Sequence, residues 1–112
     1  SGSKEEIYWG RKHVHTCFYN FNDLDYAVDI LKDKPVYLTI DLDVLDPSVF
    51  PGTGTPEAGG VSFRELQSAI GKVSRLNIIG ADMNELSPIY DQSGASTALA
   101  CKLVREILLQ IY

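Results

Sequence analysis

Two aspartates separated by one residue, Asp41 and Asp43, are the clearest sign of chemistry in this sequence. They follow a short run of β-branched and aromatic residues, Val36 to Ile40, which predicts a buried strand. Side chains two residues apart on a strand share a face, so both carboxylates are expected to point the same way. Two anions held close together repel each other unless a cation lies between them. The pair therefore predicts a cation site at the end of this strand, with a solvated strand end as the alternative.

A long loop rich in glycine and proline follows the two aspartates. Asp46 stands in an Asp-Pro step, and we interpret it as a turn residue whose carboxylate accepts backbone hydrogen bonds. The loop is not an EF-hand, because such a loop needs Gly at its sixth position and Glu at its twelfth. Counted from Asp41, those positions hold Asp46 and Gly52. The segment is expected to be a structured loop beside the cation site.

Composition restricts the class of protein. The 112 residues are 45% hydrophobic, enough for one domain spanning 1–112 with a modest core. A net charge of −5 argues against nucleic acid or an anionic membrane as a partner. Cys17 and Cys101 form no CxxC pair, and we interpret them as reduced thiols, with a single disulfide as the alternative. No apolar run reaches membrane-spanning length, so a soluble, cytoplasmic protein is expected.

The rest of the chain alternates between strand and helix periods. The predicted order is a strand at 13–18, a helix from Asn22, the strand at 36–40, a helix capped by Ser62 and Glu65, a strand at 76–81 and a helix at 93–112. Such alternation predicts an α/β fold with a parallel sheet and covering helices. Ligands bind beyond the carboxyl ends of the strands in these sheets, where Asp41, Asp43, Asp82 and Glu85 are expected.

Two features of the first residues bear on the site and on the length of the protein. His13 and His15 would share a face of the first strand and are candidate metal ligands. Solvated histidines are the preferred interpretation, because neither lies in an acidic cluster. The segment at 4–9 reads as a helix entered midway, so we expect the chain to be part of a longer parent.

One motif covers the central strand and its loop. The run Thr39-Ile-Asp41-Leu-Asp43-(x)3-Pro47-(x)3-Pro51-Gly52-(x)7-Gly60 resembles the signature of the ureohydrolases, the family of arginase, agmatinase, formimidoylglutamase and guanidinobutyrase. The form PGTGTPE-x-GG is most similar to agmatinase-like members, as is the later Asp82-(x)2-Glu85-(x)2-Pro88-(x)2-Asp91. The resemblance implies the C-terminal portion of a three-layer α/β/α arginase-like fold.

The resemblance also implies roles for four residues. Asp41 is similar to the carboxylate that bridges two Mn²⁺ ions, and Asp43 to the chelating ligand of one of them. Glu85 resembles the carboxylate that receives the substrate guanidinium, and Thr55 the loop threonine beside that group. The implied activity is hydrolysis of agmatine, or of a related guanidino compound, to urea and an amine by water that the metals activate. Polyamine biosynthesis and a homo-oligomer are implied as well.

Departures from the family pattern affect this expectation. Thr39 stands where serine, alanine or valine is usual, Ala58 where proline is frequent, and Asn84 where an apolar residue is common. Asn84 adjoins Glu85, so a change at the substrate end is expected. The family's other metal ligands, in Gly-Gly-Asp-His and Asp-Ala-His-x-Asp segments, do not occur in this sequence. We therefore expect the chain to be inactive by itself.

Two other functions compete with this interpretation. A haloacid dehalogenase-type phosphatase would use Asp41 as nucleophile and Asp43 as general acid. The later Lys and paired acids of that class are not found in order, and the Pro-Gly loop has no place in it. A non-catalytic folding or assembly module is the second alternative. Metal-dependent urea release by a version carrying the missing half would distinguish the ureohydrolase from both.

Overall fold

The helices and strands alternate along most of the chain, as the sequence predicts. The computed structural model describes residues 2–18 and 20–111. Within them lie the helices α1 (Lys4–His13), α2 (Leu24–Leu31), α3 (Phe63–Val73) and α4 (Ala95–Ile111) and the strands β1 (Pro35–Asp41) and β2 (Asn77–Asn84). Two 3₁₀ turns follow the strands, at Leu42–Val44 and Pro88–Tyr90.

The strands β1 and β2 pair in parallel, with α3 on the connection between them. Two parallel strands cannot be joined by a tight turn, so α3 forms the crossover connection between β1 and β2. In the register, Thr39 lies opposite Asp82 and Asp41 opposite Asn84. The predicted α/β class and parallel pairing are thereby confirmed, and the carboxyl ends of both strands meet at one edge.

The hydrophobic core covers one face of this sheet. Ile40 of β1 packs in one cluster with Leu66 and Ile70 of α3 and with Leu103 and Ile107 of α4. The chain after β1 completes the cluster with Leu42, Leu45, Phe50 and Val61. On the opposite face, Tyr37, Thr39 and Asp82 are exposed. The core thus holds the strand ends and the loop from one side and leaves the polar side open.

The first part of the chain differs from the prediction. Helix α1 runs through His13, and the N–H of Val14 ends it by donating to the carbonyl of Gly10 (2.8 Å). The predicted strand at 13–18 is therefore wrong. Basic residues in the last turn of α1 stabilise the C-terminal end of the helix, and this outweighs the short alternation of side chains that suggested a strand. Residue 19 lies outside the described part of the chain. Ser3 and Glu6 form a complete capping box, so α1 begins within this chain rather than midway.

Several predicted boundaries shift, and one cap is confirmed. Ser62 and Glu65 form the predicted capping box of α3. Helix α2 begins after Asp23, not after Asn22. Strand β2 continues to Asn84, three residues beyond its predicted end. None of the helices described in residues 2–18 and 20–111 is long and apolar enough to cross a membrane.

Candidate active site

The strand that carries the two aspartates ends between them. Asp41 is the last residue of β1, whereas Asp43 lies in the 3₁₀ turn Leu42–Val44, which the N–H of Leu45 closes on the carbonyl of Leu42 (3.1 Å). The two residues therefore do not lie on one strand, which was the basis for expecting their carboxylates to share a strand face. Leu42 and Leu45 are both buried, and a turn with a three-residue repeat brings both toward the core.

The loop returns to the aspartates at Thr55. The hydroxyl of Thr55 donates to Oδ2 of Asp43 over 2.8 Å, across twelve residues of sequence. Both residues are predicted site residues, but the motif alone gave no reason to place them in contact. The carboxylate that resembles a metal ligand is therefore oriented by the residue that resembles a substrate contact.

Asp46 holds the loop in shape, as its turn interpretation predicts. Its carboxylate accepts the backbone N–H of Ser48 (2.9 Å) and of Gly59 (3.0 Å). Hydrogen bonds from Ser48, and then from Gly59, hold the pKa of Asp46 below its ordinary value. The backbone N–H of Asp46 in turn donates to the carbonyl of Val61 (3.0 Å). Because its oxygens are engaged by the loop, Asp46 closes the loop instead of joining the cation site.

Glu85 follows directly on the strand residue that pairs with Asp41. Asn84 is the register partner of Asp41, so Glu85 and Asp41 emerge at the same carboxyl edge. The φ of Glu85 is 73°, a left-handed conformation that residues other than glycine adopt only when their surroundings impose it. Such strain is concentrated at functional sites. The sequence gave no signal for this conformation.

A polar network that sequence reasoning missed lies on the open face of the sheet. Asp82 accepts hydrogen bonds from the Thr39 hydroxyl (2.7 Å) and the Asn84 amide (2.6 Å). The bond from Thr39, and then those from Tyr37 and Asn84, hold the pKa of Asp82 low, while Asp82 raises the pKa of Tyr37. Asp82 therefore lies inside β2 and not in an acidic cluster at its end. The network depends on the parallel register that places Thr39 opposite Asp82, which neither strand reveals by its own sequence.

Both histidines contact aromatic side chains. The Nδ1 of His13 lies 2.8 Å from the carbonyl of Trp9, and its ring stacks on the Trp9 ring at 4.3 Å. His15 contacts the ring of Tyr26. Both histidines are exposed, as the solvated interpretation predicts. Cys17 and Cys101 are free thiols.

The donor set at the strand end suits a hard cation in kind but not in number. Asp41 and Asp43 offer carboxylate oxygens, which Mn²⁺ accepts. Among residues 2–18 and 20–111, no group of three or more His, Cys, Asp or Glu side chains could hold a metal ion. Two carboxylates cannot fill the coordination shells of two ions. These two side chains would therefore supply only part of the ligand set that such an ion requires.

Comparison with known proteins finds relatives that match nearly the whole of this chain. The agmatinase of Bacillus anthracis is 46% identical over 114 residues, which cover 97% of this chain and 39% of the relative. That of Halalkalibacterium halodurans is 53% identical over 113 residues, with the same coverage. A crystal structure from Clostridium difficile, assigned as an agmatinase, superposes with a TM-score of 0.93 at 49% identity. It matches 99% of this chain and 42% of that one.

The chain is thus similar to one part of these proteins. It spans 39% of the length of the curated relatives named above. A profile of the arginase family matches residues 12–110, which contain the strand, the loop and the residues at the carboxyl edge. The chain belongs to the arginase family.

Proposed function

We propose that this chain contributes the C-terminal portion of a binuclear manganese ureohydrolase. The complete enzyme would hydrolyse the guanidinium of agmatine, or of a related guanidino compound, to urea and an amine. Asp41 and Asp43 would bind metal, and Glu85 and Thr55 would contact the substrate. Further proposals from the family are a cytoplasmic homo-oligomer and a role in polyamine biosynthesis. The isolated chain would be inactive.

The meeting of Asp41, Asp43, Thr55 and Glu85 at one edge is the observation that carries the proposal. The register of β1 and β2 brings Asp41 beside Asn84, so the next residue, Glu85, emerges at the same edge. The hydrogen bond from Thr55 to Asp43 brings the loop to that edge as well. Metal-binding and guanidinium-binding carboxylates would thus face one reaction volume.

The chemistry of each side chain suits its proposed role. A carboxylate can accept two parallel N–H bonds from a planar guanidinium, so Glu85 would fix both the position and the plane of the substrate. Thr55 keeps its hydroxyl proton on Asp43, which leaves its oxygen free to accept from the substrate. The metal ions, when bound by Asp41, Asp43 and ligands outside this chain, supply water activation at neutral pH. The protein side chains would position the substrate.

Urea release by a version completed to the length of its relatives tests the proposal. Agmatine, arginine and 4-guanidinobutyrate are compared at saturating Mn²⁺, with an EDTA-treated sample as the metal-free control. Urea formed fastest from agmatine, and only with metal, is the expected result. A completed, folded and metal-loaded protein that releases urea from none of the three contradicts the proposal.

The phosphatase alternative has no supporting observation. Its nucleophile and acid would lie on one strand end, but Asp43 lies in the turn that follows β1 and is bonded to the loop. The same completed protein tests the alternative with p-nitrophenyl phosphate as substrate. A purely structural module would release neither urea nor phosphate.

A further inference from the structure

Ser96 is a fully buried polar residue in the first turn of α4. Its hydroxyl donates to Oδ2 of Asp91 (2.6 Å) and accepts the backbone N–H of Gly52 (2.9 Å). Its own N–H donates to the same Asp91 oxygen (2.8 Å). Buried polar groups need partners, and here every partner is a named group of the loop or of the segment before α4. Ser96 therefore joins the helix to the Pro-Gly loop.

Gly52 also forms a hydrogen bond with the segment that follows Glu85. Its carbonyl accepts the backbone N–H of Ser87 over 2.7 Å. A Cβ at this position would lie 2.6 Å from the Cβ of Ser96 and 3.2 Å from that of Asp91. Only glycine lets the loop approach the helix so closely. Gly52 precedes Thr55 by three residues, and Ser87 follows Glu85 by two, so both substrate-contacting residues are tied to one glycine.

We propose that Asp91 and Ser96 are positioning residues that lock Gly52 and thereby fix the separation of Thr55 and Glu85. The inference rests on the proposed function, and it names a guanidino group as what the fixed gap would receive. Neither positioning residue touches substrate in this scheme. Asp91 orients the Ser96 hydroxyl, and that hydroxyl holds the loop backbone.

The left-handed backbone of Glu85 explains why Gly52 has to be held in place. On one side of Glu85, the amide of Asn84 is anchored to Asp82 and to Thr39. On the other side, the N–H of Ser87 is anchored to Gly52. A strained residue persists only while both flanks are held. Release of Gly52 frees the second flank, so Glu85 can relax and its carboxylate turns away from the guanidinium plane.

Hydrogen–deuterium exchange in a completed version of the protein tests the lock without relying on activity. Ser96→Ala removes the hydroxyl that holds Gly52. Ser93→Ala is the matched control, because the Ser93 hydroxyl bonds Asp91 and the N–H of Ala95 but has no bond to Gly52. In Ser96→Ala we expect exchange at Gly52 and Ser87 to rise about tenfold, and in Ser93→Ala to stay near wild type. Equal exchange rates in the two variants would contradict the proposal that the Ser96 hydroxyl holds Gly52.

Kinetics separate positioning from general loss of structure. For Ser96→Ala we expect kcat/KM for agmatine to fall about tenfold or more, with Mn²⁺ content and melting temperature comparable to those of Ser93→Ala. Asp91→Asn, which keeps the size of the side chain, should show the same changes to a smaller degree and serves if Ser96→Ala does not fold. Wild-type kcat/KM in a variant with accelerated exchange overturns the positioning role. A wild-type protein without urea release contradicts the proposed function instead, and leaves the exchange result intact.

Discussion

Asp41 and Asp43 differ in their surroundings although they carry the same functional group. Asp41 ends a strand at the open edge, and Asp43 lies in a turn with one oxygen bonded to Thr55. Asp46, five residues after Asp41, has its oxygens engaged by loop amides. The three carboxylates lie within six residues, but their surroundings differ and suit each of them to a different role.

The first prediction compares these carboxylates in a completed protein. Asp41→Asn and Asp43→Asn should each lose bound manganese and urea release together, because an anionic ligand is removed from the metal site. Asp46→Asn is the control in the same loop, and it should keep most of its metal while its melting temperature falls. Metal analysis of the purified variants measures the difference. Full metal content in Asp41→Asn would contradict the assignment.

Glu85 carries the second prediction. Glu85→Gln should leave manganese content near normal, since the side chain contacts substrate and not metal in the proposed arrangement. The value of kcat/KM should fall about 100-fold or more, because a charge-assisted bidentate pair is lost at the reacting group. Steady-state kinetics with agmatine measure it. Unchanged urea release by this variant would rule out the role of Glu85.

Two departures from the family pattern, Asn84 and Thr39, contact each other across β1 and β2. The Asn84 amide donates to Asp82 and to the Thr39 hydroxyl rather than extending beside Glu85. The two unusual residues therefore meet in one network across β1 and β2. Their hydrogen bonds tie the carboxyl ends of the two strands together.

Among the elements, the loop between β1 and α3 depends on one close backbone approach. A Cβ at Gly60 would lie 2.5 Å from the N of Asp46 and 2.6 Å from the carbonyl carbon of Leu45. Both atoms are backbone, and neither can move without opening the pairing of Leu45 with Val61. The loop is therefore closed where only glycine fits.

The third prediction follows from this closure. Gly60→Ala should destabilise the fold by about 2 kcal/mol, since the added methyl forces a backbone shift in a packed region. Gly54→Ala is the control in the same loop, because its Cβ would meet nothing nearer than the Tyr90 ring at 3.8 Å. Thermal unfolding of both variants should show the lower melting temperature for Gly60→Ala. Equal melting temperatures would contradict the close approach.

The start of α4 carries a pH-dependent element. Hydrogen bonds from Ser93, and then from Ser96, lower the pKa of Asp91 from 3.8 to about 2. A carboxyl whose pKa is lower in the folded state stabilises the fold above its unfolded pKa and loses that contribution as the pH falls through the folded value. The contribution of Asp91 is therefore full above about pH 4 and is lost between pH 4 and pH 2.

The fourth prediction concerns this acid range. Asp91→Asn should lower the melting temperature near neutral pH, and the difference from wild type should shrink as the pH falls from 4 to 2. Asp29→Asn is the control, because among the residues that the structure describes Asp29 pairs only with the exposed Lys32, which directly follows α2. Thermal unfolding measured from pH 2 to pH 7 gives the comparison. A difference that stays constant down to pH 2 would contradict the assignment.

At the scale of the whole molecule, much apolar and backbone surface is uncovered. Within the described residues the sheet has two strands, so each strand has one open edge. The predicted apolar stripe of α4 is only half covered, with Leu103 and Ile107 buried but Val104 and Leu108 exposed. Open strand edges and apolar faces recruit other chains.

The fifth prediction describes the isolated 112-residue chain. It should self-associate in a concentration-dependent way and release no urea from agmatine at saturating Mn²⁺, because two carboxylates cannot complete a two-metal centre. Light scattering across a concentration series, paired with a urea assay, measures both properties. A concentration-independent monomer that hydrolyses agmatine would contradict the need for ligands outside this chain.

The amino-acid sequence by itself determined the features that depend on short segments. The motif from Thr39 to Gly60 named the candidate carboxylates, and the capping box at Ser62 located the start of α3. Alternating strand and helix periods were sufficient for the α/β class and the parallel sheet. Each of these signals lies within about 20 residues, where local propensity and spacing decide the outcome. The same reasoning failed at 13–18, where helix and strand signals competed over a few residues.

The tertiary structure alone decided which of these residues meet. The bond from Thr55 to Asp43, the cross-strand partners of Asp82 and the junction of Gly52 with Ser96 and Ser87 join segments 12 to 44 residues apart. Such contacts depend on strand register and on loop closure, which arise only when the core packs Leu42, Leu45 and Phe50 against α3 and α4. The sequence could therefore name the candidate groups, while packing fixed their mutual positions and the strained backbone of Glu85.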